Sequence, residues 1–429
     1  MNIRIYHAVI LTMKEGEPLT YGELWIQDGI LTCVGKVPEE RSAPVWDRQI
    51  DAGHNLVMPG FKNAHTHSAM TFLRSYADDL PLQEWLTNQV FPMEAKLTHE
   101  DVYHLTKLAI MEYVSSGMTA NFDMYFFPDD CLQASVDCGF RTVRCGEING
   151  TEEEADEKLQ YLEDTYSRWN RTNALVSARL GFHAEYTTCR RIMEGVAELA
   201  RKYHAPVYMH NSETKSEVDA CRNRYGMTPT QVMDEIGMFE YGGGGFHCVW
   251  LDEKDKEIFQ RKQLSVITCP ASNMKLASGI APLTDYETLG ISMAIGTDGP
   301  ASNNCLDMFR EMFLATGLQK LRTKDASALD AERVLRMATA GGAKAMGLTQ
   351  CDCLAEGKWA DLILIDLSMP NMQPMNHVIK NIVYSGSKAN IKMTMVAGKI
   401  LYEDGEYFIG EEPARIYEKA NAIIRRMQT

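Results

Sequence analysis

Histidine and aspartate carry the first chemical signal. His65 and His67 lie two apart at the end of the run PGFKNAHTH (59–67), and the period-two geometry of a strand points such a pair to one face, where both can hold one metal ion. His183, His210, His247 and Asp298 each stand at the end of a further apolar run. Imidazole and carboxylate are ligand types of Zn²⁺ and Fe²⁺ sites. Spread along the chain but repeated at run ends, these groups predict one polar edge on one sheet.

The elements that must position them follow from the hydrophobic pattern. Between 59 and 350, short apolar runs alternate with helical spacing, which predicts βαβ units and a parallel sheet. Eight runs qualify: 59–67, 117–125, 141–148, 176–186, 205–212, 243–250, 264–270 and 291–299. Eight strand-helix units predict an α/β fold, a (β/α)8 TIM barrel with its site at the carboxyl ends of the strands. Residues 1–57 alternate apolar and polar positions, and strand-like runs return in ADLILIDL (360–367), KNIVYSG (380–386) and IKMTMVAGKILYEDG (391–405). The reading is a small β-sandwich from both chain ends (1–57 with 358–410), a barrel over 58–357, and a C-terminal helix over 411–429.

Composition narrows the classes. The 429 residues carry 45% hydrophobic and 24% charged residues, an ordinary globular balance that excludes disordered and fibrous chains. A formal net charge of −15 without a basic run argues against nucleic acid as a partner. Apolar stretches fall short of the roughly 20 residues that cross a bilayer, so no membrane partner is expected. The start MNIRIYHAVILTMKEGE has a charge within its apolar part and no small-residue cleavage site, and eleven cysteines form no CxxC pair. A cytoplasmic protein with reduced thiols is expected.

The motifs PGFKNAHTHSAMTFLRSYADDLPLQEWL, MHNSETKSEV, HCVWL, SNMKLASGIAP and GTDGPASNN together resemble the amidohydrolase superfamily, in its 5′-methylthioadenosine/S-adenosylhomocysteine deaminase-like branch, over nearly the whole chain. The resemblance implies a mononuclear metal on His65, His67, His210 and Asp298, with Glu213 and His247 handling protons. The fourth run lacks the carboxylated Lys of dinuclear relatives, so one divalent ion per chain is expected, Zn²⁺ ahead of Fe²⁺. The same resemblance assigns Glu94 in FPMEAKL to ribose hydroxyls and His183 in GFHAEY to the purine, with Trp85 in LQEWL as a pocket wall. The implied reaction is metal-dependent hydrolytic deamination of an adenosine-type nucleoside (5′-methylthioadenosine, 5′-deoxyadenosine, adenosine or S-adenosylhomocysteine) to its inosine counterpart and ammonia.

Elementary chemistry agrees with these roles. Three imidazoles and one carboxylate leave a coordination position for water, whose pKa a metal lowers toward about 7. Attack at a purine C6 requires a proton on the adjacent ring nitrogen, and Glu213, three residues past a ligand histidine, is placed to donate it. His247 and Asp298 would orient the water and take its proton. Homocysteine-accepting relatives place a second Arg in the loop that here reads RCGEINGTEEEADEK (144–158). Only Arg144 remains, amid carboxylates, so a neutral 5′ group is expected ahead of S-adenosylhomocysteine. Trp250 replaces a second His common in HCVWL-type motifs, which touches no proposed ligand.

Other patterns are weaker. HEDVYH (99–104) spaces its histidines five apart, unlike the HExxH zinc motif, and reads as a helix start. Gly242–Gly245 lacks the spacing of a phosphate loop and reads as a site of close backbone approach. The HxE and PCxxC signature of the cytidine-deaminase zinc site is missing, and Cys351 and Cys353 read as loop residues. Competing functions are a deaminase of guanine or another aminated heterocycle (pterin, triazine), a chlorohydrolase-like azine hydrolase, and a metal-free, partner-binding relative of the dihydropyrimidinase kind, against which all four ligands are present. The oligomeric state is open, a homo-oligomer included.

Overall fold

A computed structural model describes residues 1–428, with residues 82 and 83 lacking described side chains. Seventeen strands run in chain order: β1 (Asn2–Ile10), β2 (Thr20–Gln27), β3 (Ile30–Gly35), β4 (Arg48–Asp51), β5 (Leu56–Pro59), β6 (Phe61–Thr66), β7 (Met118–Asp123), β8 (Arg141–Cys145), β9 (Val176–Ala184), β10 (Val207–Asn211), β11 (Gly243–His247), β12 (Ser265–Thr268), β13 (Ser292–Ile295), β14 (Leu362–Ile365), β15 (Ile391–Val396), β16 (Lys399–Glu403) and β17 (Glu406–Tyr407).

β6 to β13 form one eight-stranded sheet in sequence order, each neighbour pair parallel. β13 returns to β6 at a seam closed by the Asp298 N–H donating to the His65 carbonyl (3.0 Å) and by the paired side chains of Asn63 and Thr297 (2.7 Å). The result is the expected (β/α)8 barrel, and each strand-like run from the sequence contains one of its strands. Barrel strands are buried on both faces, which is why they read as near-continuous apolar runs. The covering helices carry apolar stripes: in Arg190–Tyr203 the buried positions are Ile192, Met193, Val196, Ala197, Leu199 and Ala200, a helical period. At Gly243 an added Cβ would lie 2.0 Å from the Val207 carbonyl oxygen, so the glycine run permits the tight β10–β11 pairing. HEDVYH opens the helix His99–Ser115 behind a Thr98–Asp101 capping box.

The strands of both chain ends join in one mixed sheet in the order β17-β16-β15-β14-β5-β1-β2-β3, with β4 beside β1. This sheet bends over a small core that includes Ile3, Ile5, Leu24, Leu31, Leu362, Leu364, Met393 and Met395, so strands far apart in order still pack together. The β2–β3 turn meets the far side through the Ala360 N–H, which donates to the Gly29 carbonyl (2.8 Å). Arg141 of β8 ties this sheet to the barrel with a fork to Asp361 (Nε 2.6 Å, Nη2 3.0 Å).

One expected strand is a helix. The first five residues of KNIVYSG lie in the helix Val378–Tyr384, capped by His377, and the helix's apolar residues Val378, Ile379, Ile382 and Val383 follow helical spacing toward the core. The β-branched pair that suggested a strand is overridden by this packing. The C-terminal helix is Pro413–Gln428. Among the described residues no helix is long and apolar enough to cross a membrane, and all eleven cysteines are free thiols.

Candidate active site

The strand ends converge as the sequence pattern requires. The ring of His65 lies 4.9 Å from that of His67, 4.9 Å from that of His210 and 5.5 Å from that of His247, centroid to centroid. Asp298 Oδ1 sits 3.2 Å from His67 Nε2 and 3.6 Å from His65 Nε2. Ligand atoms of His65, His67 and Asp298 lie within 4.8 Å of one another, and so do those of His65, His210 and His247. His247 therefore stands within reach of a ligand position as well as of its expected proton-handling place.

Three of the four rings are aimed by a second partner. His67 Nδ1–H donates to the Met124 carbonyl, His210 Nδ1–H to the His183 carbonyl (2.8 Å), and His247 Nδ1–H to Asn273 Oδ1 (2.8 Å). That leaves Nε2 of each facing the centre, the arrangement typical of ligating imidazoles. Asp298 Oδ2 accepts from Ser272 (2.5 Å) and Ser302 (2.8 Å). The backbone bends to present these groups: His247 (φ 67°), the last residue of β11, and Asp298 (φ 60°), three residues past β13, are left-handed at non-glycine positions.

Electrostatics match a cation-binding centre. Burial holds His65 and His210 well below the ordinary imidazole value, with neighbouring histidines adding to it, so both are neutral donors. Against its burial, the hydrogen bond and charge of Asp298 push His67 up to about 9. Against the same burial, His67 holds Asp298 well below the usual carboxylate range. Both ring nitrogens of fully buried His65 lack any hydrogen-bond partner, a cost that a cation among these donors removes. The donor set fits a divalent metal.

Glu213 follows β10 and precedes the helix Lys215–Tyr225. The capping box of Thr214 and Glu217 fixes its backbone, with Glu217 also accepting from the Ser212 and Glu213 N–H groups (3.0 and 2.7 Å). Its side chain is 9% exposed, with Oε2 3.8 Å from His247 Nε2 and Oε1 accepting from Ser278 (3.1 Å). Burial pushes its carboxyl up, against the opposing pull of His247.

His67, His210, Glu213, His247 and Asp298 face a cavity of about 80 Å³, walled also by Trp85, Glu94 and His183. A second cavity of about 520 Å³ adjoins it, and Phe91, Glu94, Tyr125, Phe126, Glu147 and Asn149 border both. Burial pushes Glu94 up to about 8 although the Tyr125 hydroxyl donates to it (2.7 Å), and burial pushes His183 down to about 4.

Arg144 borders the second cavity: its Nη1 donates to the Asp123 and Cys145 carbonyls (3.0 and 2.6 Å), while its buried Nε has no hydrogen-bond partner and Nη2 stands 3.7 Å from Glu147 Oε2. The acidic loop is a correction. Glu152, Glu153, Glu154, Asp156 and Glu157 are exposed at the start of the helix Ala155–Trp169, and of that run Glu147 alone reaches the site. Sequence reasoning also missed Ser272, Asn273, Ser278 and Ser302, which hold Asp298, His247 and Glu213. Their signal lay in SNMKLASGIAP and GTDGPASNN, where small polar residues cluster just after two strand ends.

The Amidohydrolase family model matches residues 56–401. A 5-methylthioadenosine/S-adenosylhomocysteine deaminase of Pelotomaculum thermopropionicum is 40% identical over 99% of this chain and 98% of its own length. A 5′-deoxyadenosine deaminase of Methanosarcina mazei is 39% identical over 98% and 97%. The crystal structure of a zinc-bound adenosine deaminase from Xanthomonas campestris superposes with a TM-score of 0.93 at 32% identity, covering 99% of this chain and 98% of that one. With its barrel, its strand-end histidines and these likenesses, the chain belongs to the amidohydrolase family.

Proposed function

We propose that the protein hydrolytically deaminates an adenosine-type nucleoside, releasing ammonia and the inosine counterpart. The observation that carries this reading is the meeting of His67, His210 and Asp298 with the buried carboxyl of Glu213 in one cavity, with buried His65 packed against both histidines. The names of full-length relatives near 40% identity support the nucleoside class, and the zinc in the Xanthomonas structure supports Zn²⁺. We assign one divalent ion per chain to these four ligands, and the division into a 58–357 barrel, a two-ended β unit and a C-terminal helix accompanies that reading. A cytoplasmic setting fits the free cysteines.

A divalent metal bound there supplies a water acidic enough to lose its proton near neutral pH. Glu213 keeps a proton at a pH where an exposed carboxyl has lost it, and delivers it to the ring nitrogen beside C6. This makes the carbon more electrophilic. Asp298, held by Ser272 and Ser302, accepts a proton from the attacking water and passes it to the departing amino group, which leaves as ammonia, and Glu213 recovers a proton from the C6 hydroxyl as the carbonyl forms. His247, held by Asn273, orients that water. His183 and Trp85 pack and orient the base, and Glu94 takes the ribose hydroxyls. The test is an ammonia-release screen of zinc-loaded protein over adenosine nucleosides, guanine, pterins and azines. Turnover confined to adenosine nucleosides supports the reading, and turnover of guanine, a pterin or an azine alone overturns it.

A further inference from the structure

The cavity at the histidines holds only about 80 Å³, whereas small-molecule sites commonly measure ~300–1,000 Å³. A nucleoside whose base lies at Glu213 and His247 must therefore extend into the adjoining cavity of about 520 Å³. The border between the two is where Glu94 and Glu147 stand, and Glu94 is the residue given to the ribose hydroxyls. The 5′ arm then passes Glu147 into the larger cavity, whose walls include Phe127, Tyr161, Leu162 and Tyr166.

Glu147 is poorly satisfied where it stands. Its side chain is 6% exposed, and Oε2 has no hydrogen-bond partner. The cation facing it, Arg144 Nη2, is 3.7 Å away, beyond hydrogen-bond reach; Nη1 of that guanidinium is anchored on two backbone carbonyls and its buried Nε has no hydrogen-bond partner. Lys158 lines the larger cavity, and Glu94 lies on the same border. A carboxyl group in this state gains from a cationic or donor group on a passing ligand, and a second carboxylate brought beside it meets repulsion and desolvation.

We infer that Glu147 is a specificity-determining residue, a charge filter that admits adenosine nucleosides with an uncharged or cationic 5′ arm into the larger cavity and disfavours those with an anionic arm. This inference rests on the deaminase reading. It replaces the acidic loop of the sequence argument with one buried side chain.

The experiment compares kcat/KM of the metal-loaded protein for 5′-methylthioadenosine and three thioethers of similar length: butylthio (neutral), 3-aminopropylthio (cationic) and 2-carboxyethylthio (anionic). The expected order places the cationic and neutral arms at least about tenfold above the anionic one. Glu147→Gln, isosteric and uncharged, should narrow the gap between cationic and anionic arms to within about threefold. An anionic arm processed as well as the cationic one by the natural protein overturns the filter, whatever the fate of the variant. A folded Glu147→Gln protein with an unaltered order does so as well. Turnover of 5′-methylthioadenosine with rejection of all three longer arms overturns the cavity assignment but leaves the deaminase reading standing. Deamination of none of the four removes both.

Discussion

His67 Nε2 and Asp298 Oδ1 face each other at 3.2 Å across the seam where the last barrel strand meets the first. Barrel closure thus makes neighbours of two ends of a long segment, and the Asp298 N–H bonded to the His65 carbonyl is part of the same seam. A ligand set built on a closure point binds its metal only in the folded chain, which couples metal affinity to stability.

The first prediction follows. Elemental analysis of purified protein should find about one divalent ion per chain, and chelation should lower the melting temperature. His67→Ala should lose both metal and turnover. Two tightly held ions per chain would contradict the mononuclear assignment.

Glu213 tests the proton step. Glu213→Gln keeps the shape and the Ser278 neighbour but cannot pass a proton, so turnover should fall by about 10²-fold or more with metal content retained. Near-normal turnover would remove Glu213 from the reaction.

Much of this was legible in sequence. The eight barrel runs, the His65–His67 pair and the lone Glu213 stand in local patterns whose period or spacing survives any tertiary context. The helix Val378–Tyr384 was not legible, because four apolar residues within six fit either period until the core against which they pack is known. The surroundings of Arg144 were not legible for a related reason: a positive charge in sequence says nothing of which of its nitrogens buried carbonyls take. Glu147 was hidden in a run of acids, and only the turn into the helix Ala155–Trp169 separates it from its exposed neighbours.

Glu94 gives a pH signature. Burial raises its carboxyl from the ordinary 4.5 to about 8 in the folded protein. Between those values the folded state holds a proton that the unfolded chain has released. The associated stability is fully present below about 4.5 and is lost as pH rises through about 8. Glu94→Gln should therefore gain in melting temperature relative to the natural protein on going from pH 5 to pH 8.5, by about 2 °C or more. A difference that does not change with pH would show that Glu94 is ionised in the folded state throughout.

The Arg141–Asp361 fork joins the barrel to the two-ended sheet with both side chains almost fully buried, at 5% and 0% exposure. Asp361→Ala leaves a buried guanidinium unpaired and should cost about 3–5 kcal/mol in urea unfolding. Because no atom of this pair borders the histidine cavity, kcat at low temperature should stay within about twofold. A loss of under about 1 kcal/mol would show that water reaches and solvates Arg141 in the variant.

The central claim is hydrolytic replacement of the purine 6-amino group, and isotope transfer measures it directly. With zinc-loaded protein in oxygen-18 water, mass spectrometry of the product from 5′-methylthioadenosine or 5′-deoxyadenosine should show one heavy oxygen at C6 for each ammonia released, and none in the Glu213→Gln protein beyond its residual turnover. Ammonia release without heavy oxygen at C6, or an unchanged nucleoside under conditions where the metal site is filled, would contradict it.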